Sequence, residues 1–451
     1  MAEFRVEKDS MGEVRVPAEA YYGAQTRRAI ENFPVSGVPM PLPVVYAAAM
    51  IKGLGAEVNA GLGLLPAPLA EAISRAAREV LEGKFDGEFV VDVFQTGSGT
   101  STNMNVNEVL ANRANELLGR PKGSNSPVHP NDHVNRCQSS NDVIPSAIRI
   151  AARRRLSEAL LPALEGLRDA LAAKAGESSD IMKIGRTHLQ DAVPVTLGQE
   201  FSGYASQVDH GIRRVRATFR DLEELPLGGT AVGTGLSAHP EFGARTIAEI
   251  DTLTGIPFRP AENRFEAMGA QDPLVSASGA LKGLAASLMK ICHDLRLLSS
   301  GPRCGIGEID LPPLQPGSSI MPGKVNPVIL EVGIQVSAQV IGNDAAVTLG
   351  GSLGVLELNV TLPLMARNLL ESIGLLSAAA GLLADRCVAG ITPNRKRCGE
   401  LIEQSLAMVT PLAVSIGYDR AAELAHEAYH TGKTIRAILL ERKILPEEEI
   451  R

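Results

Sequence analysis

The sequence has no tryptophan and few other aromatic residues, and this scarcity limits the kind of core that it can build. Of its 451 residues, 45% are hydrophobic but only 4% are aromatic. The core must therefore consist mainly of Ala, Leu, Val and Ile, which favours closely packed helices over a β-sandwich. The hydrophobic fraction is ordinary for a globular protein and excludes disorder as the default state.

Positive charge is also scarce. The chain carries 44 basic and 51 acidic residues, which gives a formal net charge of −7, and it has no run of basic residues. A protein that binds nucleic acid normally presents a basic face to the phosphates. The sequence therefore predicts no nucleic-acid partner.

Cysteine pairs and long apolar runs are lacking as well. The five cysteines are widely spaced and form no Cys-x-x-Cys motif, which is typical of reduced thiols and not of a disulfide framework or a zinc site. The first residues mix acids with bases and lack the apolar stretch of a signal peptide. No uninterrupted apolar run reaches the roughly 18 residues of a membrane span. We expect a cytoplasmic protein with no membrane partner.

Long segments with apolar residues three and four positions apart dominate the middle of the chain. Such segments follow Pro145 and begin near Pro194, Pro273, Pro327 and Pro363, with proline at the predicted helix start. Their faces carry little charge, and residues 276–291 are apolar or small nearly all round, as in helices buried on most sides. A monomer could not bury several such helices, so we expect an oligomeric bundle.

The predicted fold class is all-α, in a subunit of three parts. Residues 1–137 form an N-terminal mixed, mostly helical domain, in which Val14 and Val16 alternate with polar residues and give a weak strand signal. Residues 138–391 form a central long-helix bundle domain, and residues 392–451 a small C-terminal helical domain.

Two glycine-rich segments resemble nucleotide-binding motifs only superficially. Five residues separate Gly317 from Gly323 where a P-loop has four, and Val325 stands where a P-loop needs Ser or Thr. The match Gly233-x-Gly235-x-x-Ala238 lacks the preceding strand and the following helix of a dinucleotide fingerprint. The sequence therefore gives only weak support for a nucleotide site.

Four polar runs lie between the helical segments: residues 96–105, 129–142, 185–191 and 317–327. Any one of them could be a cap, a turn or a flexible loop. Together they supply hydroxyls, amides, a lysine, a histidine and helix starts. That combination suits a small polyanionic substrate without phosphate or metal.

The run GSSIMPGKVNP at 317–327 resembles the signature of the fumarase/aspartase superfamily, whose lyases eliminate across a C–C bond beside a carboxylate. The other three runs resemble that superfamily's remaining active-site regions, in the same order, and the resemblance covers essentially the whole chain. HPNDHVN, GRTHLQDA and GGTAVGTGL are similar to the class II fumarase branch, as are His129 and Gly323, where aspartases tend to differ. Cys137 and the pair Ser237-Ala238 are small departures that touch no group assigned to chemistry.

This resemblance implies an all-helical homotetramer with a central helical core and active sites shared between three subunits. It implies reversible hydration of fumarate to malate, by anti addition or elimination of water through an aci-carboxylate intermediate. The substrate partner is then a small dicarboxylate. No cofactor and no metal is expected.

The resemblance also assigns roles to individual residues. Ser318 would be the base that takes the proton from carbon, although a serine needs local donors to stabilise its alkoxide. His188 would be the general acid for the leaving hydroxyl, since histidine titrates near neutral pH, and Glu331 would orient it. Lys324 and Asn326 would clamp the doubly charged intermediate. The implied substrate contacts are Ser98, Gly99, Thr100, Ser139, Ser140, Asn141, Thr187, Ser319, Lys324, Val325 and Asn326. A second dicarboxylate site would comprise His129, Pro130, Asn131 and Asp132, which could equally be a polar turn that caps a helix.

Three alternatives remain open from the sequence. An aspartate ammonia-lyase of the same superfamily would share the signature. A non-catalytic structural relative is another, since a lyase of this superfamily has been reused in eye lenses, although the retained set of catalytic residue types argues against it. A nucleotide-dependent enzyme is the third.

Overall fold

The computed structural model describes residues 3–446 and residue 448, and it shows a mainly helical protein. Among these residues, strands occur only in two-stranded sheets. The predicted all-α class is therefore confirmed, with short hairpins added. A core of Ala, Leu, Val and Ile packs these helices closely, as the shortage of aromatic residues predicts.

The chain forms two compact units that are discontinuous in sequence. The first comprises residues 1–161, 213–283 and 339–376, and the second comprises residues 162–212, 284–338 and 377–451. This division follows packing and not chain order. The three-part division along the chain stays a prediction.

In the first unit, the helix Leu42–Gly61 is buried along most of its length and packs against Ala67–Leu81 and Ser140–Arg155. A side chain at Gly53 would lie 2.7 Å from Ala77 Cβ, so the close approach of these helices requires glycine there. The strand signal at Val14 and Val16 is confirmed, since both residues are buried in the antiparallel hairpin of Phe4–Asp9 and Gly12–Pro17. The unit's other helices are Ala24–Asn32, Thr100–Leu117, Phe219–Leu222, Phe242–Thr254 and Arg264–Gly269. It also contains the short 3₁₀-helix Asp86–Glu88 and the π-helical segments Pro130–Val134 and Leu156–Leu160. Its short strand pairs are Glu224–Leu225 with Arg259–Pro260 and Gly354–Val355 with Leu358–Asn359.

The second unit contains a longer hairpin and the C-terminal helices. Strands Met182–Thr187 and Gln190–Thr196 pair antiparallel, and the hairpin packs on the helix Arg395–Gln404. The shorter helices predicted after residue 392 are confirmed, and five of their residues form a separate small core: Leu424, Ala428, Ile435, Ile438 and Leu439. The remaining elements are the strand pair Ile309–Asp310 with Thr392–Pro393 and the helices Val409–Ile416, Tyr418–Thr431 and Ile435–Arg442. There are also the π-helical segment Leu383–Cys387 and the short 3₁₀-helices Val388–Gly390 and Leu406–Met408.

Five long helices contribute residues to both units: Leu161–Glu177, Leu197–Ala217, Asp272–Leu298, Val328–Gly351 and Leu362–Leu382. The predicted starts near Pro273, Pro327 and Pro363 are confirmed. The start near Pro194 was wrong, because Pro194 lies in the strand Gln190–Thr196 and the helix begins at Leu197. A strand of a two-stranded sheet has an unpaired edge, where proline's missing N–H costs nothing.

By length and composition alone, the helix Asp272–Leu298 and the helical stretch Leu362–Gly390 could each span a membrane. In each, 44% of the most apolar window is buried inside the protein. Core helices of bundle proteins pass the same test, so these two helices are weak evidence for a membrane protein.

Candidate active site

A chain of hydroxyl groups joins two of the polar runs in the first unit. Ser98 Oγ lies 2.8 Å from Thr100 Oγ1, which lies 2.8 Å from Ser140 Oγ. Ser140 also donates to Asn141 Oδ1 at 3.4 Å. The structure thus brings together the predicted substrate contacts at 98–100 and 139–141.

Both ends of this hydroxyl chain stand at helix N-termini. Gly99 precedes the helix Thr100–Leu117 in a left-handed conformation (φ 75°), and Ser139 caps Ser140–Arg155 in a capping box with Asp142. Exposed backbone N–H groups and the positive end of each helix dipole favour a carboxylate at such a place. A side chain at Gly97 would lie 1.7 Å from the Val360 carbonyl oxygen, so this loop is tightly packed and not a flexible linker.

Two buried ionisable side chains, Asp142 and Lys52, influence each other electrostatically in the same unit. Asp142 accepts hydrogen bonds from the backbone N–H groups of Ser139, Gly228 and Thr230 at 2.9, 2.9 and 3.0 Å. Burial raises the pKa of Asp142 to about 6. Burial also lowers the pKa of Lys52 to about 7, and its ammonium group donates to Asn135 at 3.0 Å. Sequence reasoning missed both residues, although a lysine directly after the apolar run 47–51 was an available signal.

His188 lies at the tip of the hairpin in the second unit. Thr187 pairs with Gln190, so His188 and Leu189 form a two-residue turn, and both have left-handed conformations (φ 56° and 58°). Such turns normally use Asn-Gly or Gly, and left-handed non-glycine residues are strained. Thr187 and His188 are exposed. The sequence did not predict this hairpin, because its turn lacks the usual residues.

The signature segment 317–327 is an irregular loop closed on itself. The Gly317 N–H donates to the Lys324 carbonyl oxygen at 2.7 Å, and the Asn326 side-chain amide donates to the Gly317 carbonyl oxygen at 2.7 Å. Ser318 Oγ accepts the backbone N–H groups of Ile320 and Met321 at 3.2 and 3.0 Å. These two donors would stabilise a negative charge on the serine oxygen.

Lys324 and Val325 are exposed on this loop, next to a cleft in the same unit. The cleft has a volume of ≈ 450 Å³ and is also lined by His293, Arg296 and Ser300. Glu331, in the first turn of Val328–Gly351, places Oε1 4.0 Å from Arg296 Nη2. The structure therefore gives Glu331 a cationic neighbour that the sequence did not predict, and its pairing with His188 stays a prediction.

The segment predicted as a second dicarboxylate site is a capped turn. His129 Nδ1 accepts the N–H groups of Asn131 and Asp132, each at 3.2 Å, at the start of the turn Pro130–Val134. A cavity of ≈ 250 Å³ adjoins His129, Pro130 and Asn131. Three acidic residues also line it: Glu7, Asp9 and Glu108. The capping role is observed, whereas dicarboxylate binding stays a prediction.

Among the residues that the structure describes, no group of three or more His, Cys, Asp or Glu side chains could hold a metal ion. All five cysteines are free, and only Cys304 is exposed.

Comparison with known proteins identifies the class first. A family model described as lyase matches residues 12–342, and a model described as fumarase C C-terminus matches residues 408–451. A lyase suits the carboxylate-directed groups described above.

Relatives and solved structures then narrow the class. Class II fumarate hydratase of Yersinia pestis is 54% identical over 449 residues, covering 100% of this chain and 97% of the relative. That of Nitrosomonas europaea is 54% identical and covers 97% of this chain and 94% of the relative. The class II fumarase of Schistosoma mansoni superposes with a TM-score of 0.96 at 42% identity, over 99% of this chain and 97% of the other. A fumarate lyase:delta crystallin of Brucella melitensis, bound to cobalt, has a TM-score of 0.96 at 46% identity, with coverages of 99% and 97%.

The chain belongs to the class II fumarate hydratase family of lyases. It is an enzyme that hydrates fumarate, a dicarboxylate. The predicted resemblance, activity and mostly helical fold are confirmed.

Proposed function

We propose that Ser318 removes the proton from the carbon beside one malate carboxylate, and that His188 donates a proton to the departing hydroxyl. The electron pair from the C–H bond moves into the carboxylate and gives an aci-carboxylate; breaking the C–O bond then yields fumarate and water. The observation that carries the proposal is the pair of hydrogen bonds that Ser318 Oγ accepts from the backbone N–H groups of Ile320 and Met321. They supply the local stabilisation that a serine base requires.

The two carboxylates of the substrate are assigned to different groups. Lys324 and Asn326, with Ser319 and Val325 beside them, would hold the carboxylate that becomes doubly charged. The hydroxyl chain of Ser98, Thr100 and Ser140, with Ser139 and Asn141, would hold the other one at the two helix N-termini. Thr187 would contact the substrate from the His188 hairpin.

We further propose a homotetramer in which each active site draws residues from several subunits. The long helices leave large apolar side chains in contact with solvent, including Leu349 at 65% exposure and Leu382 at 39%. Exposed apolar surface on bundle helices marks an interaction face. The three-part subunit and a cytoplasmic location, in keeping with the free cysteines, belong to this proposal.

The segment 129–132 is proposed as a second dicarboxylate site, despite the acidic residues near it. Arg5 lies 2.6 Å from Glu7, and Arg28 lies 2.7 Å from Asp9. Hydrogen bonding to Arg28 lowers the pKa of Asp9, and burial raises the pKa of Glu108. These neighbours reduce the effective negative charge that a dicarboxylate would meet.

Replacing Ser318 by alanine tests the carbon-base assignment. We expect Ser318→Ala to keep its secondary structure and to lower the malate kcat at least 10²- to 10⁴-fold, the range typical of acid–base groups. Fumarate formation is followed by ultraviolet absorbance, with Ser352→Ala, at an exposed helix end, as the matched control. Near-normal turnover by folded Ser318→Ala would overturn the assignment.

A further inference from the structure

The turn that carries His188 depends on the rest of its unit for its position. Its hairpin is a separate two-stranded sheet, and such a sheet is marginally stable by itself. His188 and Leu189 both adopt strained left-handed conformations, and both side chains are exposed. Within one subunit, packing around the turn therefore gives the imidazole little restraint, and the restraint that the subunit itself supplies comes from the strands that carry the turn.

A buried ion cluster supplies such a restraint. Arg186 donates from Nη1 and Nη2 to the two carboxylate oxygens of Glu308, each at 3.0 Å. Lys183 lies 3.2 Å from Glu308 and 2.8 Å from Glu200. The side chains of Glu308 and Lys183 are 0% and 1% exposed. Lys183 and Glu308 are thus shielded from water, whereas Arg186 and Glu200 are 16% and 24% exposed. The two-pronged contact of the Arg186 guanidinium with the Glu308 carboxylate fixes direction as well as distance.

Glu308 is itself held by the backbone on both sides. Its N–H donates to the Leu298 carbonyl oxygen at 2.9 Å, and its carbonyl oxygen accepts the Asn394 N–H at 2.9 Å. The carboxylate therefore projects from a point tied to the end of one long helix and to the start of a C-terminal helix. Arg186 connects that point to the strand position two residues before His188.

We propose that Arg186 and Glu308 are positioning residues for His188 and hold the strained turn at the height and angle that proton transfer requires. This inference rests on the proposed role of His188 as the proton donor. Neither residue needs to touch the substrate. A displacement of about 1 Å at a reacting group can lower the rate by about 10²-fold. Loss of the paired hydrogen bonds between Arg186 and Glu308 should therefore lower kcat strongly.

A double-mutant cycle tests this inference. Arg186→Gln removes the positive charge and the paired hydrogen bonds to Glu308 but keeps a polar side chain. We expect it to lower kcat by about 10- to 100-fold while the KM for malate changes less than about threefold. In the His188→Asn background the same change should lower the residual kcat by less than about twofold, because no imidazole remains to be positioned. Arg186→Lys keeps the positive charge but cannot make the paired hydrogen bonds, so its kcat should lie between that of the unmodified enzyme and that of Arg186→Gln.

The chain offers a matched control close to the same hairpin. Arg395 makes the same forked contact with Asp180, at 2.9 and 3.0 Å, but these side chains are 60% and 67% exposed. Arg395→Gln should leave kcat and KM within about twofold of the unmodified enzyme. Circular dichroism and oligomer size establish that each variant is folded, and Arg186→Lys takes the place of Arg186→Gln in the cycle if the latter does not fold.

The outcomes separate this inference from the proposed function. Equal losses from Arg186→Gln in both backgrounds would overturn the positioning role and leave only a structural ion pair. Near-normal kcat in His188→Asn would instead overturn the role of His188 itself. A loss confined to KM would also contradict positioning of the proton donor.

Discussion

The hydroxyl of Thr100 lies 2.8 Å from that of Ser140, 40 positions further along the chain. The contact joins the first residues of two helices, so the positive ends of two helix dipoles face the same small region. A carboxylate placed there would gain donors from both helices and from the hydroxyls between them. Neither helix start alone would offer this arrangement.

Replacing Thr100 by valine, which keeps the shape but removes the hydroxyl, should raise the malate KM by about tenfold or more. A hydrogen bond to a charged group contributes about 1.5–3 kcal/mol, which corresponds to that range. Steady-state kinetics measure the effect, and Thr100→Ser, which retains a hydroxyl, is the control. Equal KM values in the two variants would contradict a role for this hydroxyl in carboxylate binding.

His188→Asn and Glu331→Gln should lower turnover unequally. The first removes the proposed proton carrier, whereas the second only weakens the orientation and basicity of that carrier. We therefore expect the larger fall in kcat from His188→Asn, measured on folded proteins of equal oligomer size. The reverse ranking would contradict the pairing of these two residues and would direct attention to Arg296, the neighbour of Glu331.

Mixing two inactive variants should restore activity if active sites are shared between subunits. Ser318→Ala and His188→Asn are mixed under denaturant and refolded together. Hybrid oligomers then contain some sites in which both residues are intact, and activity should exceed that of either variant alone while staying below that of the unmodified enzyme. Separately refolded samples of each variant are the control. If verified hybrids show no recovery, the two residues serve the same site from one chain.

The buried Lys52 predicts a pH dependence of stability. Its pKa is about 7 in the folded protein against an ordinary value of 10.5, so the unfolded chain binds more protons between these pH values. Stability conferred by this group therefore rises with pH across that window. Asp142, whose pKa is about 6, stays ionised there.

Lys52→Met isolates this effect. The difference in Tm between the unmodified protein and Lys52→Met should become more favourable to the unmodified protein from pH 7 to pH 9, at fixed protein concentration. Lys396→Met, at a side chain that is 86% exposed, should show no such trend. A difference that stays constant over this range would show that Lys52 does not change its proton affinity on folding.

Much of the candidate site could be predicted because it consists of local motifs. Glycines, hydroxyls and amides at 96–105 and 317–327 mark tight turns and helix starts through their own conformational preferences. Lys52, Asp142, Arg186 and Glu308 escaped prediction for the opposite reason. Their roles depend on partners far along the chain, such as Gly228 for Asp142 and Glu308 for Arg186.

The sequence alone determined the helical class, the long apolar helices and the family, because composition and apolar spacing act over a few turns and because the polar motifs are contiguous. Only the tertiary structure decided that the segment around His188 is a hairpin and that the capping Asp142 is a buried carboxylate under the electrostatic influence of Lys52. Burial and charge pairing depend on residues that meet only after folding, so no local pattern could reveal them.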